Sequence, residues 1–260
     1  MNDKERSCEE FLKLLDIIDE LRQKCPWDMK QTNESLRKLT IEETYELADA
    51  VMSGNDDGIR KELGDLMLHI VFYAKIGSEK GLFSMTDVLK GINEKLVYRH
   101  PHVFGDVKVS GASEVEENWE NLKINETSEY KPVLSGVPSS LPAVVKANRI
   151  QEKVRGVGFD WEERGQIWDK VMEEIEELKE EAEKRTKESI ESELGDVLFS
   201  IINASRLYDI DPEAALEKTN RKFIKRFNYL EKETLSKGVS LHDMTLDEMN
   251  EIWERAKEDD

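Results

Sequence analysis

The 260-residue chain is long enough to bury a substantial core as one large or two ordinary domains; 37% charged residues, 7% aromatics and six prolines favour an all-α protein. Its formal net charge of −19 argues against a broad nucleic-acid surface, because phosphate backbones bind by displacing counterions from clustered Lys and Arg. The start, "MNDKERSCEEF", carries charges where a signal peptide needs an apolar run, and no apolar segment approaches the roughly 20 residues that span a bilayer, so a cytoplasmic chain without a membrane partner is expected.

Cys8 and Cys25 show no CxxC spacing and predict neither a disulfide framework nor a zinc site. After "CPWD" at 25–28, the pattern of "IEETYELADAVM" predicts a helix with Ile41, Tyr45, Leu47, Ala48 and Val51 on a face separate from its leading carboxylates. "SGNDDG" at 53–58 breaks it, and a second helix through "IRKELGDLMLHIVFYAKIG" stops near Gly77, giving an antiparallel hairpin. Lys95 and Arg99 follow at i, i+4 spacing, Pro101 ends their helix, and Trp119 and Lys123 come later. "NETSEYKPVLSGVPSSLP", residues 125–142, reads as a linker from its three prolines.

Beyond the linker the order repeats. "VGFDW" at 157–161 leads into "WDKVMEEIEELKEEAEK" and "ESIESELGDVLFSIINASRLY", a hairpin whose turn near 184–187 lacks Gly and Pro. Lys222 and Arg226 repeat the spacing of Lys95 and Arg99, and Trp253 with Lys257 repeats Trp119 with Lys123. The tetrapeptide ELGD occurs at 62–65 and again at 193–196, and the same offset of 131 residues carries Glu42, Glu43 and Glu46 onto Glu173, Glu174 and Glu177. The chain is thus expected to hold an N-terminal repeat over 1–124, the linker, and a C-terminal repeat over 143–260.

At about 100° per residue, Glu174 lies about 100° and Glu177 about 40° round the helix from Glu173, so the three project to one side. Glu193 and Asp196, three apart, share a face of the next helix. Apposed in a hairpin, these acids repel and raise one another's pKa unless a cation lies between them, and Mg²⁺ with its oxygen ligands suits the set. Gly64 and Gly195 between the acids predict close helix approach. In a Glu-rich chain EExxE is ordinarily a solvated face, yet Glu176 and Glu180 are not reproduced in the first repeat, where Tyr45 and Asp49 stand. His69 is matched by Ser200 in the second repeat and reads as a packed core histidine; the absence of Glu-x-x-His weighs against a di-iron bundle. The paired cations and tryptophans suit an anionic, ring-bearing ligand, and no phosphate-cradling glycine loop is present.

"KLTIEETYELADAV", "KELGDLMLHIVFYAKI" and "NEKLVYRHPHVFGD", with "VMEEIEELKEE", "ESELGDVLFSIINASRL" and "NRKFIKRF", resemble the two repeats of the MazG nucleoside triphosphate pyrophosphohydrolases. The resemblance covers nearly the whole chain. It implies tandem all-α helical bundles, a homodimer, and Mg²⁺-supported hydrolysis of nucleoside triphosphates to monophosphate and diphosphate, with Mn²⁺ as substitute metal. By motif, Glu174, Glu177, Glu193 and Asp196 would be metal ligands, with Glu43, Glu46, Glu62 and Asp65 their counterparts. Glu173 and Glu174 would act at the attacking water, Glu42 matching Glu173. Lys222, Arg226, Trp253 and Lys257, or Lys95, Arg99, Trp119 and Lys123, would contact the nucleotide. The rival reading is a non-catalytic, dimeric helical adaptor whose acids solubilise it.

Overall fold

A computed structural model describes residues 2–111, 114–115, 118–119, 122, 132–160, 164–184, 186–236 and 238–258. Among them are ten α-helices and no strand. The chain's contacts divide it into two compact units, Met1–Glu114 and Val115–Asp260.

In the first unit, α1 (Asp3–Lys24) opens with a reciprocal cap between Asn2 and Glu5. A 3₁₀ turn at Asp28–Lys30 leads to α2 (Asn33–Met52), α3 (Asp56–Glu79), α4 (Met85–Arg99) and the single turn α5 (Pro101–Phe104). The expected break after Met52 is made by Gly54, at φ 64°, and by Asn55, whose side chain caps α3. The predicted stop near Gly77 falls instead at Lys80 and Gly81, the latter at φ 66°. Gly77 makes room for packing: a Cβ there would stand 2.7 Å from the Phe83 ring, so the chain folds back over it.

Helix α3 is central, packing on α1, α2 and α4. Ile18, Leu36, Val71, Phe72 and Ile76 form the buried core, lined by Leu14, Leu39 and Leu68. Ile41, Tyr45, Ala48 and Val51 stay exposed, because α2 turns Leu36, Leu39 and Ala50 inward instead. Arg22 fastens the end of α1 to the 3₁₀ turn through the Asp28 carbonyl and to α3 through Glu79, whose carboxyl it holds below the usual range.

The second unit repeats the plan with α6 (Ala143–Arg155), α7 (Arg164–Lys184), α8 (Lys187–Leu207) and α9 (Pro212–Ser236), and adds α10 (Leu246–Glu258). α7 ends at Lys184 and α8 begins at Lys187, so the helix break near 184–187 lies where the sequence predicts it. Here α8 is central, against α6, α7 and α9. Its core of Ile167, Val171 and Ala204 is smaller. The later half of the expected linker, from Pro132, is not loose: it packs on α6, where Lys146 donates to the Ser139 carbonyl at 2.7 Å. Residues 125–131 and Trp161 lie outside the described residues.

Candidate active site

The i, i+3 and i, i+4 geometry of α7 and α8 brings the acids of the second unit together. One carboxylate oxygen from each of Glu174, Glu177 and Glu193 lies within 4.8 Å of the other two. Burial, followed by the charges of Glu177, Asp196, Glu174 and Glu181, pushes the Glu193 carboxyl above its ordinary range. Asp196 therefore acts on the cluster electrically although it stands outside the tight trio. Lys170, one turn ahead on α7, donates to Glu174 at 2.8 Å and to Glu173 at 2.9 Å. Those two partners, Glu174 foremost, hold its ammonium well above the usual lysine range.

The first unit assembles the matching set from α2 and α3, with Glu43, Glu62 and Asp65 as the trio. Glu42 and Glu46 are exposed. Burial first, then the charges of Asp65, Glu46 and Glu62, raise Glu43. Glu62 is only 6% exposed; its Oε1 takes Lys61 at 3.0 Å, while Oε2 is buried with no partner among the described residues. All-oxygen donors, mutual repulsion and a buried unpartnered carboxylate oxygen are what a hard cation relieves, so each cluster could hold a metal ion. Gly64 and Gly195 do not mark a close approach within the chain: a Cβ at either would meet open space. Both glycines are exposed beside the acids, so the helices of each hairpin do not meet there.

His69 is buried in α3, where loss of water lowers its pKa more than Asp65 raises it. Ser200, its counterpart, is also buried and donates to the Val197 carbonyl at 2.9 Å.

A cavity of about 520 Å³ opens beside the second cluster, between α6, α7, α8 and the loop before α7. Glu174, Asp196 and Lys170 form part of its wall, with Gln151, Asn203 and Arg206 beyond them. Arg206 is fixed by a two-pronged pair with Asp160, and its guanidinium also donates to Asn203 Oδ1 at 3.0 Å. None of Lys170, Gln151, Asn203 or Arg206 stands out in the sequence by repetition. For two of them the signal is the reverse, a mismatch between repeats: Lys170 and Asn203 stand where the first repeat has Leu39 and Phe72.

The basic and aromatic residues fall into place unevenly. Arg226 on α9 lies over the Trp253 ring of α10, 6.0 Å from its centroid, and Phe223 tilts against the same ring at 5.0 Å. Lys222 and Lys257 are exposed, Lys257 bonding Glu254 at 2.6 Å. On α4, Lys95 is exposed and Arg99 half-buried. Trp119 is exposed and groups with the second unit, and Lys123 lies outside the described residues.

A family model described as the MazG nucleotide pyrophosphohydrolase domain matches the chain twice, over residues 31–104 and 164–230. The two matched stretches contain the two acid clusters. The chain is 44% identical over 250 residues to the nucleoside triphosphate pyrophosphohydrolase/pyrophosphatase MazG of Thermotoga maritima, with 95% of each chain covered. It is 39% identical over 252 residues to the nucleoside triphosphate pyrophosphohydrolase of Escherichia coli K12, covering 94% of this chain and 96% of that one. The protein of the same name from Mycobacterium tuberculosis is 36% identical over 145 residues, 55% of this chain and 44% of its own.

Proposed function

This chain belongs to the MazG nucleotide pyrophosphohydrolase family, and we propose that it hydrolyses nucleoside triphosphates to monophosphate and diphosphate with Mg²⁺, or Mn²⁺ in its place. One observation carries this reading. The acid constellation is assembled twice, and two acids of its second copy, Glu174 and Asp196, stand in the wall of a cavity within the usual size range for small-molecule sites.

Glu174, Glu177, Glu193 and Asp196 would hold the metal in the second unit, and Glu43, Glu46, Glu62 and Asp65 in the first. A metal held there would withdraw charge from phosphate oxygens and acidify water. The chain does the rest. Glu173, with Glu174, orients the attacking water and accepts its proton, and Lys170 fixes both carboxylates while offering its charge to the phosphates. Lys222, Arg226 and Lys257 take the charge of the leaving diphosphate, with the Trp253 ring seating Arg226. Lys95, Arg99, Trp119 and Lys123 are the corresponding set for the first repeat. The reading carries a cytoplasmic location, where nucleotides are pooled, and broad base tolerance.

We also propose a homodimer. The sequence points to Leu66, Ile70 and Phe72, or Leu198, Ile201 and Ile202, as the apolar stripes, but Phe72 and Ile202 turn into their own cores. The exposed stripes are Leu63, Met67 and Ile70 on α3 and Leu194, Leu198 and Ile201 on α8, at matching positions of the two repeats. Apolar rows at i, i+4 and i+7 call for a covering partner, and a second copy of the chain supplies one.

Magnesium-dependent release of diphosphate from a panel of nucleoside triphosphates tests the function. Turnover abolished by chelation is expected. A well-folded protein that releases none from any triphosphate is the adaptor instead.

A further inference from the structure

Gln151 is 4% exposed, and it lines the cavity. Its Nε2 donates to the Phe199 carbonyl of α8 at 2.8 Å. A carbonyl accepts only, so that bond fixes the orientation of the carboxamide: nitrogen to α8, oxygen away from it. The oxygen, Oε1, is buried and has no hydrogen-bond partner among the described residues. Such an acceptor is costly when left unpaired, and a ligand that brings an N–H to it recovers that energy. The amide cannot turn over to serve a ligand acceptor without breaking the bond to Phe199.

Asn203 stands on the same wall with the opposite polarity. Arg206 donates to its Oδ1 through both Nε and Nη2, at 3.2 and 3.0 Å, which leaves the amide N–H₂ as the end available to a ligand. Phe199 and Asn203 follow Asp196 by three and seven residues, about 4.5 and 10.5 Å of rise along α8. These two amides therefore lie farther along α8 than Asp196, on a wall shared with Ile150, Val154 and Ile167. An anionic phosphate belongs at the acids and Lys170, and an apolar ring with polar edges belongs beyond them.

We propose that Gln151 Oε1 is a fixed acceptor that reads the N–H edge of the substrate's nucleobase inside the second unit's cavity. The proposal rests on the triphosphate hydrolysis proposed above and assigns the base subsite of that reaction. Asn203 supplies the complementary donor, so the pair matches an edge with an N–H beside a ring nitrogen or carbonyl, as in the amine and N1 of adenine.

The test compares kcat/KM for ATP with that for purine riboside 5′-triphosphate, whose base keeps the ring nitrogens but has no N–H on that edge. The wild-type enzyme is expected to favour ATP by about tenfold or more, the penalty of one buried unpaired acceptor. In Gln151→Met, which removes the acceptor but keeps the volume, the ratio is expected to fall close to one while helicity is retained. Should the variant fail to fold, the wild-type ratio alone decides, and equal use of the two triphosphates overturns the assignment. So does a folded Gln151→Met enzyme that slows both substrates equally, the mark of a merely structural glutamine. Both of those outcomes leave the hydrolase standing; no turnover of any triphosphate overturns the hydrolase and this subsite together.

Discussion

Phe72 and Asn203 occupy the same position of the two repeated hairpins, 131 residues apart, yet Phe72 is 2% exposed within the first unit's core while Asn203 lines the second unit's cavity. Leu39 and Lys170 differ in the same sense. The metal-binding acids proposed here match across the repeats, but the space beside them is filled with hydrocarbon in one and edged with polar groups in the other.

The second repeat is therefore expected to carry most of the catalysis. Glu174→Gln should lower kcat/KM with several nucleoside triphosphates by orders of magnitude, and Glu43→Gln by far less. A larger loss from the Glu43 change would reverse the assignment, and equal losses would mean two working sites per chain.

Filling the cavity by the first repeat's own solution gives a second test. Asn203→Phe should reduce substrate affinity about tenfold or more, because the ring occupies space the substrate needs and removes one of the two partners of Arg206. Circular dichroism should show the helices intact. An unchanged KM would place the substrate elsewhere.

Glu177→Gln combined with Asp196→Asn removes two of the four charges proposed to hold the metal in the second unit. Magnesium-dependent turnover should fall by orders of magnitude, with helicity kept. If activity survives when Glu46→Gln and Asp65→Asn are added, neither cluster is the metal site.

Acid pH should reveal the repulsion within the clusters. Glu43 and Glu193 have folded-state pKa values raised above 4.5, so each takes up its proton more readily in the folded than in the unfolded chain. Their contribution to stability is complete below about pH 4.5 and is lost as the pH rises through the raised values. In chelator, Glu43→Gln with Glu193→Gln should then melt above the wild type at about pH 7, with the difference closing on acidification below 4.5. A variant that melts lower at neutral pH would show that those carboxylates stabilise the metal-free fold.

Sedimentation should find a dimer at micromolar concentration. Ile70→Glu with Leu198→Glu puts charge into both exposed stripes and should shift the protein to monomer. A compact wild-type monomer would leave these stripes without the proposed partner.

What the sequence by itself determined is what helical periodicity controls. Glu174 and Glu177, or Glu193 and Asp196, share a face because about 3.6 residues make a turn, and the exact recurrence of ELGD placed them in register across two hairpins. The same local rules located both hairpin turns and the break before Pro101. Only the tertiary structure decided which apolar rows are covered, since Phe72 and Ile202 turn inward on helices that also carry exposed apolar rows. It also decided what stands beside the acids. Gln151 meets the carbonyl of Phe199 across 48 residues of chain, and Arg206 meets Asp160 across 46. No periodicity couples positions so far apart: those contacts exist because α6, α7 and α8 pack around a core too small to fill the space between them.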